Sequence, residues 1–420
     1  MSSDRRRLVG NMASLFTLQG ANYVLPLVTL PYLVRVLGPE KFGLIAFAQA
    51  FTQYFVVATD YGFNLSATRD VAIHRDDPQK LAEIVAAVMT IKIILALSGA
   101  FVLTYFVSLV PSFREHGILY AVAYLAVIGS TIFPVWLFQG LERMRYIARL
   151  LIAARLLTTV AIFMLVQNSD DYIIAAAIQS IPFLVAAIPA WALLHRWKTY
   201  KFKIPSLFEL RKQLTNGWPV FLSTAAISIY TSSNTVILGL LTNASEVGYY
   251  SFANKISGAI LGLYQPINQT VYPHISKLNT RSRKKAVEFI KMFRYKYIFF
   301  GAFTSLLVYG LSHQIVMNVG GARYAESVII LQILAILPFC LSFGHIYGGL
   351  TMLPLGLNGA FSRIVIASMV TDLVLIYPLI RIFGAAGAAV DTVIAEIIVS
   401  SFTFYYVKTR KVLSEGLMPA

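Results

Sequence analysis

The chain has 420 residues, of which 57% are hydrophobic and 13% charged, and its formal net charge is +16. Soluble domains carry roughly a quarter charged residues, so a soluble globular enzyme is excluded and lipid is the solvent the composition calls for. The single cysteine, Cys340, rules out an intrachain disulfide and reads as a small core residue.

A spanning helix needs about 20 mainly apolar residues. Long unbroken apolar runs such as 84–109 and 173–194 fit helices; barrel strands alternate apolar and polar residues instead. The runs predict about twelve spans, at 11–34, 43–65, 83–109, 117–138, 147–167, 172–194, 216–240, 248–274, 295–317, 327–352, 359–382 and 387–407. Arg5, Arg6 and Arg7 before the first run imitate a signal peptide, but Asn11, Gln19 and Asn22 interrupt it and no cleavage site follows, so it reads as a retained span. Pro26 and Pro31 in the first span, and Pro182 and Pro189 in the sixth, bend their helices. Pro338, Pro354 and several glycines interrupt the ninth to eleventh spans.

Lys and Arg mark the cytoplasmic side of a multi-pass protein. With the N-terminus placed inside, 27 of the 35 basic residues fall on the cytoplasmic side, 5 outside and 3 within spans. Both termini are therefore expected in the cytoplasm. The positive charge is a topology signal and an attraction to anionic lipid heads, so nucleic-acid binding is not needed to explain it. The halves are alike. Gly43–Gln49 (GLIAFAQ) echoes Gly248–Asn254 (GYYSFAN), and Gly140-Leu141 echoes Gly356-Leu357. Six spans per half predict parallel repeats: an N-terminal lobe at 1–198, a cytoplasmic linker at 199–214 and a C-terminal lobe at 215–420. In the linker, 207–213 is read as a solvated stretch or a short interfacial helix.

Charges inside a bilayer cost at least about 2.5–3.5 kcal/mol each, and so mark interiors or water-filled cavities. Asp60, Lys92, Arg155, Lys255, Asp372, Asp391 and Glu396 lie in or near spans. Lys92 and Arg155 sit near mid-depth, and Lys255 at a similar depth from the other face. Three cations from three helices suit an anionic phosphate or pyrophosphate cargo. Pairing with Asp60, Asp372 or Glu396 is the structural alternative. Those carboxylates could instead bind H⁺ or Na⁺ and couple transport to a gradient. Asp391, near a span end, reads as structural. Asn64, Gln139, Gln265, Asn268 and Gln269 read mainly as bridges between helices. The turn His74-Arg75-Asp76-Asp77 reads as solvated, and His274, His313 and His345 have no ligand-spaced partners. No cofactor or metal site is expected. No nucleotide-binding loop is present and no loop could hold an ATPase or a catalytic domain, which argues against a primary pump and a glycosyltransferase.

Four stretches carry a family resemblance: Leu30–Gly43 (LPYLVRVLGPEKFG), Asp60–Thr68 (DYGFNLSAT), Pro134–Glu142 (PVWLFQGLE) and Val247–Lys255 (VGYYSFANK). The chain resembles the O-antigen flippases of the multidrug/oligosaccharidyl-lipid/polysaccharide exporter superfamily. The resemblance implies an all-α membrane fold of two six-helix bundles around a central cavity. It implies an undecaprenyl-diphosphate-linked oligosaccharide as substrate, moved across the bacterial inner membrane with H⁺ or Na⁺ coupling. An O-antigen polymerase and a chain-length regulator are implied as partners, besides membrane lipids. Arg155, Lys92, Lys255, Arg35 and Arg69 form the candidate substrate-binding set, and Asp60, Asp372 and Glu396 the candidate coupling set. A multidrug/cation antiporter is the competing reading; buried cations speak against it.

Overall fold

The computed structural model describes residues 3–197 and 203–413, with their side chains except at 3–19, 21–24, 112 and 230. Arg5, Arg6, Arg7, Asn11, Gln19 and Asn22 thus lie outside the described side chains, and 199–202 of the expected linker outside the described residues. Among the described residues the chain is helical throughout, without a strand. This is an all-α, multi-pass membrane protein.

The chain divides between Val236 and Ile237 into two compact units. The first contains α1 (Ser3–Asp60), α2 (Phe63–Ile73), α3 (Pro78–Leu109), α4 (Pro111–Arg114), α5 (Gly117–Ala123), α6 (Leu125–Ile132), α7 (Val135–Gly140), α8 (Met144–Leu165), α9 (Tyr172–Ser180), α10 (Pro182–Arg196) and most of α11 (Leu207–Leu241). The second contains α12 (Ala244–Gly262), α13 (Tyr264–Arg281), α14 (Arg283–Val319), α15 (Ser327–Leu334), α16 (Leu337–Gly344), a π-helix at His345–Met352 and α17 (Asn358–Thr409).

Helix starts follow local chemistry. Asp77 accepts from the N–H groups of Gln79 and Lys80, and Pro78 opens α3; Asn243 caps α12 and Ser282 caps α14 in the same way. Such caps satisfy N–H groups that a helix leaves open, and proline loses nothing in the first turn. Two helices are longer than a bilayer is thick because glycine breaks them without ending them. Gly38 in α1 has φ 72° and Gly384 in α17 has φ 56°, a region that only glycine enters readily. Each of these helices is therefore two rods, matching the expected first and second spans and the eleventh and twelfth.

By length and apolarity, the described residues hold eight candidate spans, nine if Leu207–Ile229 and Thr231–Leu241, bent by 49°, count as one. The difference from twelve has two sources. Two of the eight contain a glycine break, and α12–α13, at the expected eighth span, is more polar than a spanning helix because Gln265, Asn268, Gln269 and His274 lie along it.

In the first unit the core gathers Phe63, Val71, Ile84, Val88, Trp136 and Ala187. Gly140 lets α7 lie against α2, since a Cβ there would meet Val71 Cβ at 2.5 Å and the Thr68 carbonyl at 2.8 Å. The start of α11 is held to α2 and α3 by charge. Lys80 and Lys203 both reach Glu83 at 2.7 Å, Lys80 and Lys212 flank the buried Glu209 at 3.7 Å, and Gln213 donates to Asp70 at 3.0 Å. Tyr61 stacks on Phe221 with centroids 5.0 Å apart. Residues 207–213 are therefore the packed first turns of a long helix, although Leu207 and Phe208 stay exposed. The second unit has its own core around Tyr264, Ile290, Tyr297, Ile346 and Leu350.

Candidate functional site

In the first unit the structure brings Lys92 and Asp60 together. Lys92 on α3 is 2% exposed. Its ammonium lies 3.5 Å from Asp60 Oδ1, at the end of α1, and donates to the Ser130 carbonyl of α6 at 3.1 Å. A buried charge persists when paired and hydrogen-bonded, so Lys92 ties three helices through one cation. Arg155 differs. It is half-buried on α8, and no carboxylate of the described residues lies within ion-pair distance. Arg35, just before the Gly38 break, and Arg69, on α2, are exposed; Arg35 has polar company of its own.

In the second unit Lys255 is exposed on α12, and it too has an interaction partner. Exposed midway along a helix of a membrane protein, an ammonium belongs beside water rather than lipid tails. Asp372 and Asp391 are 2% and 0% exposed. They stand on the two rods of α17, which run antiparallel from Gly384. The Ser368 hydroxyl donates to the Ala395 carbonyl at 2.8 Å, and that register sets Asp372 opposite Asp391. Two buried carboxyl groups facing each other repel when both are ionised, an arrangement that favours keeping a proton or a cation between them. Asp391, read from the sequence as a structural residue, is thus half of a carboxyl pair. Glu396 is half-buried one turn further on, also with an interaction partner.

Asn268, read from the sequence as a bridge between helices, joins His345 and Tyr297, a partnership the sequence did not show. The Asn268 side-chain N–H₂ lies 2.9 Å from His345 Nδ1, and the Tyr297 hydroxyl donates to Asn268 Oδ1 at 2.7 Å. This triad joins α13, α14 and the π-helix; such local widening often marks functional positions. Glu246, near the start of α12, accepts from the Ala385 N–H at 2.7 Å. It caps the second rod of α17 at the Gly384 break.

The profile of a family described as polysaccharide biosynthesis protein matches residues 8–279. The chain is 37% identical over 415 residues to a protein of Escherichia coli (strain K12) named as an O-antigen transporter, covering 98% of this chain and all of that one. A protein of Shigella dysenteriae named in the same way is 29% identical over 95% of this chain and 99% of its own length. Among solved structures, the lipid II flippase MurJ in an inward closed conformation superposes with TM-score 0.73 at 14% identity, over 96% of this chain and 89% of that one. An inward-facing multidrug resistance MATE family transporter superposes with TM-score 0.66 at 17% identity, over 93% and 95%. At these identities the two structures speak for the fold alone.

Proposed function

Because this chain belongs to the polysaccharide biosynthesis protein family, we propose that it is a flippase. Its cargo is an undecaprenyl-diphosphate-linked oligosaccharide, the O-antigen repeat unit, carried from the cytoplasmic to the periplasmic leaflet of the bacterial inner membrane by alternating access. Both termini lie in the cytoplasm, as the loop charges argue.

The observation that carries this reading is Arg155. It is a half-buried guanidinium in the middle of a spanning helix, with no carboxylate among the described residues to neutralise it. Such a group costs several kcal/mol against lipid, so a water-filled path and an anionic cargo are its natural setting. A planar guanidinium takes a diphosphate by two parallel hydrogen bonds. Lys255, exposed midway along α12, supplies a second cation. Lys92 is committed to Asp60 and acts by holding helices. A cavity for organic cations favours carboxylates and aromatic faces over a guanidinium, which disfavours the multidrug reading.

Ion coupling rests on Asp372 and Asp391. A pair of buried, facing carboxyl groups is a site that an ion gradient can load and empty. Complementation of a strain lacking the gene tests the cargo assignment. Arg155→Ala at normal membrane abundance abolishes surface O-antigen, and Arg155→Lys restores part of it. Wild-type surface antigen in Arg155→Ala removes Arg155 from the path.

A further inference from the structure

The motif PVWLFQGLE ends at Glu142 in a tight turn that the flippase reading leaves unused. Glu142 takes a left-handed conformation, φ 57°. The Arg143 N–H closes back onto the Phe138 carbonyl at 2.9 Å, and the Glu142 N–H onto Gln139 at 2.9 Å. With Gly140 pressed against Val71, this turn is held beside the loop that follows α2. The end of α10 arrives at the same place, so three chain segments border an open cavity of about 520 Å³. Arg75, Glu142, Arg143, Arg145, Tyr146 and Trp197 line it.

The charges in this cavity are sorted. Arg75 takes up both nearby carboxylates, Glu142 at 3.3 Å and Asp76 at 3.6 Å. Arg143 and Arg145 have no carboxylate of the described residues within ion-pair distance. Arg143 is fixed instead by stacking, its guanidinium carbon 4.0 Å from the centre of the Trp197 ring. Tyr146 meets the same ring edge-on at 4.7 Å. Arginines that serve topology need only be exposed. Two unneutralised guanidinia converging in a built concavity, one held in place on tryptophan, form a pre-organised anion site. Tryptophan and tyrosine are also the residues that settle at headgroup level in a membrane.

We infer that this cavity binds a phosphate-bearing lipid headgroup, gripped by Arg143 and Arg145. Glu142 and Asp76 take up the charge of Arg75, which leaves Arg143 and Arg145 to grip the phosphate. The headgroup is that of a bulk anionic phospholipid or of a polyprenyl diphosphate, and the chemistry at the guanidinia is the same for both. The inference stands on the pocket and needs no transport step.

The test uses the full chain in phosphatidylcholine nanodiscs. Two probes are titrated separately and counted by native mass spectrometry: farnesyl diphosphate and dioleoyl phosphatidylglycerol. Arg145 is exposed, so Arg145→Gln leaves the fold intact and is the primary variant; Arg143→Gln is the second. Both variants are expected to bind at least one probe five- to tenfold more weakly than wild type, with Arg145→Lys in between. A loss confined to farnesyl diphosphate assigns the pocket to polyprenyl diphosphates, and a loss confined to phosphatidylglycerol assigns it to bulk lipid. Unchanged affinity of Arg145→Gln for both probes overturns the inference, while the flippase reading, which depends on export and on Arg155, survives that result.

Discussion

Replacing Lys92 by methionine separates a structural cation from a cargo-binding one. The ammonium is 3.5 Å from Asp60 Oδ1 and 3.1 Å from the Ser130 carbonyl, with the lysine side chain 3% and the aspartate side chain 17% exposed. Removing one partner of a buried pair costs about 3–5 kcal/mol, because the other charge is stranded. Asp60 keeps some access to water, which places the loss for Lys92→Met near the lower end, about 3 kcal/mol. Asp60→Asn strands the lysine and costs a similar amount. In the double variant no charge is stranded, and replacing a buried pair by neutral groups is often close to neutral. With single losses of about 3 kcal/mol each and a double variant close to neutral, the cycle yields a coupling of about 6 kcal/mol. Denaturant titration of the four proteins in mixed micelles measures it, with surface O-antigen followed in parallel. The double variant is expected to regain both stability and export. If the single effects add to within about 0.3 kcal/mol, or if export stays lost while stability returns, Lys92 is not a structural cation and belongs to the cargo path.

Gly384→Ala places a Cβ 2.7 Å from Glu246 Oε2 at φ 56°; the left-handed backbone alone costs about 1–2 kcal/mol, so the purified protein should melt earlier, and an unchanged melting temperature would argue against the break. Tyr297→Phe removes the donor to Asn268 Oδ1 and is expected to cost about 1–2 kcal/mol in the same titration. Asp391→Asn keeps the side-chain shape but removes one of the two facing carboxyl groups, so export should lose much of its sensitivity to an uncoupler while the protein still assembles; unaltered uncoupler sensitivity would remove the pair from coupling.

What the sequence revealed and what it hid follow from the range of the forces involved. Apolar runs and loop charges are local, so the helical rods could be placed from Ile84 or Ile173 onward without knowing what they touch. The breaks at Gly38 and Gly384 were legible as gaps between spans, but not how abruptly the chain turns there; that depends on each glycine taking positive φ. Intramembrane charges stood out by their cost, and Asp60, Asp372 and Glu396 as possible partners of the cations, but which carboxylate meets which cation was not legible. Asp60 is 32 residues from Lys92, and only the antiparallel register set by Ser368 and Ala395 shows that Asp391 faces Asp372. His345 had no visible partner because Asn268 lies 77 residues away. Arg75 read as part of a solvated turn because Glu142 and Trp197, which complete its pocket, come from other loops.

The most direct measurement of the flippase claim is transbilayer movement in proteoliposomes. Undecaprenyl-diphosphate-linked repeat units are placed in the vesicles, and a membrane-impermeant glycosidase or periodate reports the fraction exposed outside. Wild-type protein should accelerate the appearance of reagent-accessible units at the outer surface, and Arg155→Ala should reduce that rate to the protein-free level. If vesicles with wild-type protein match empty vesicles while the same preparation exchanges organic cations for protons, the chain is a cation antiporter and the assignment of Arg155 to a diphosphate cargo is wrong.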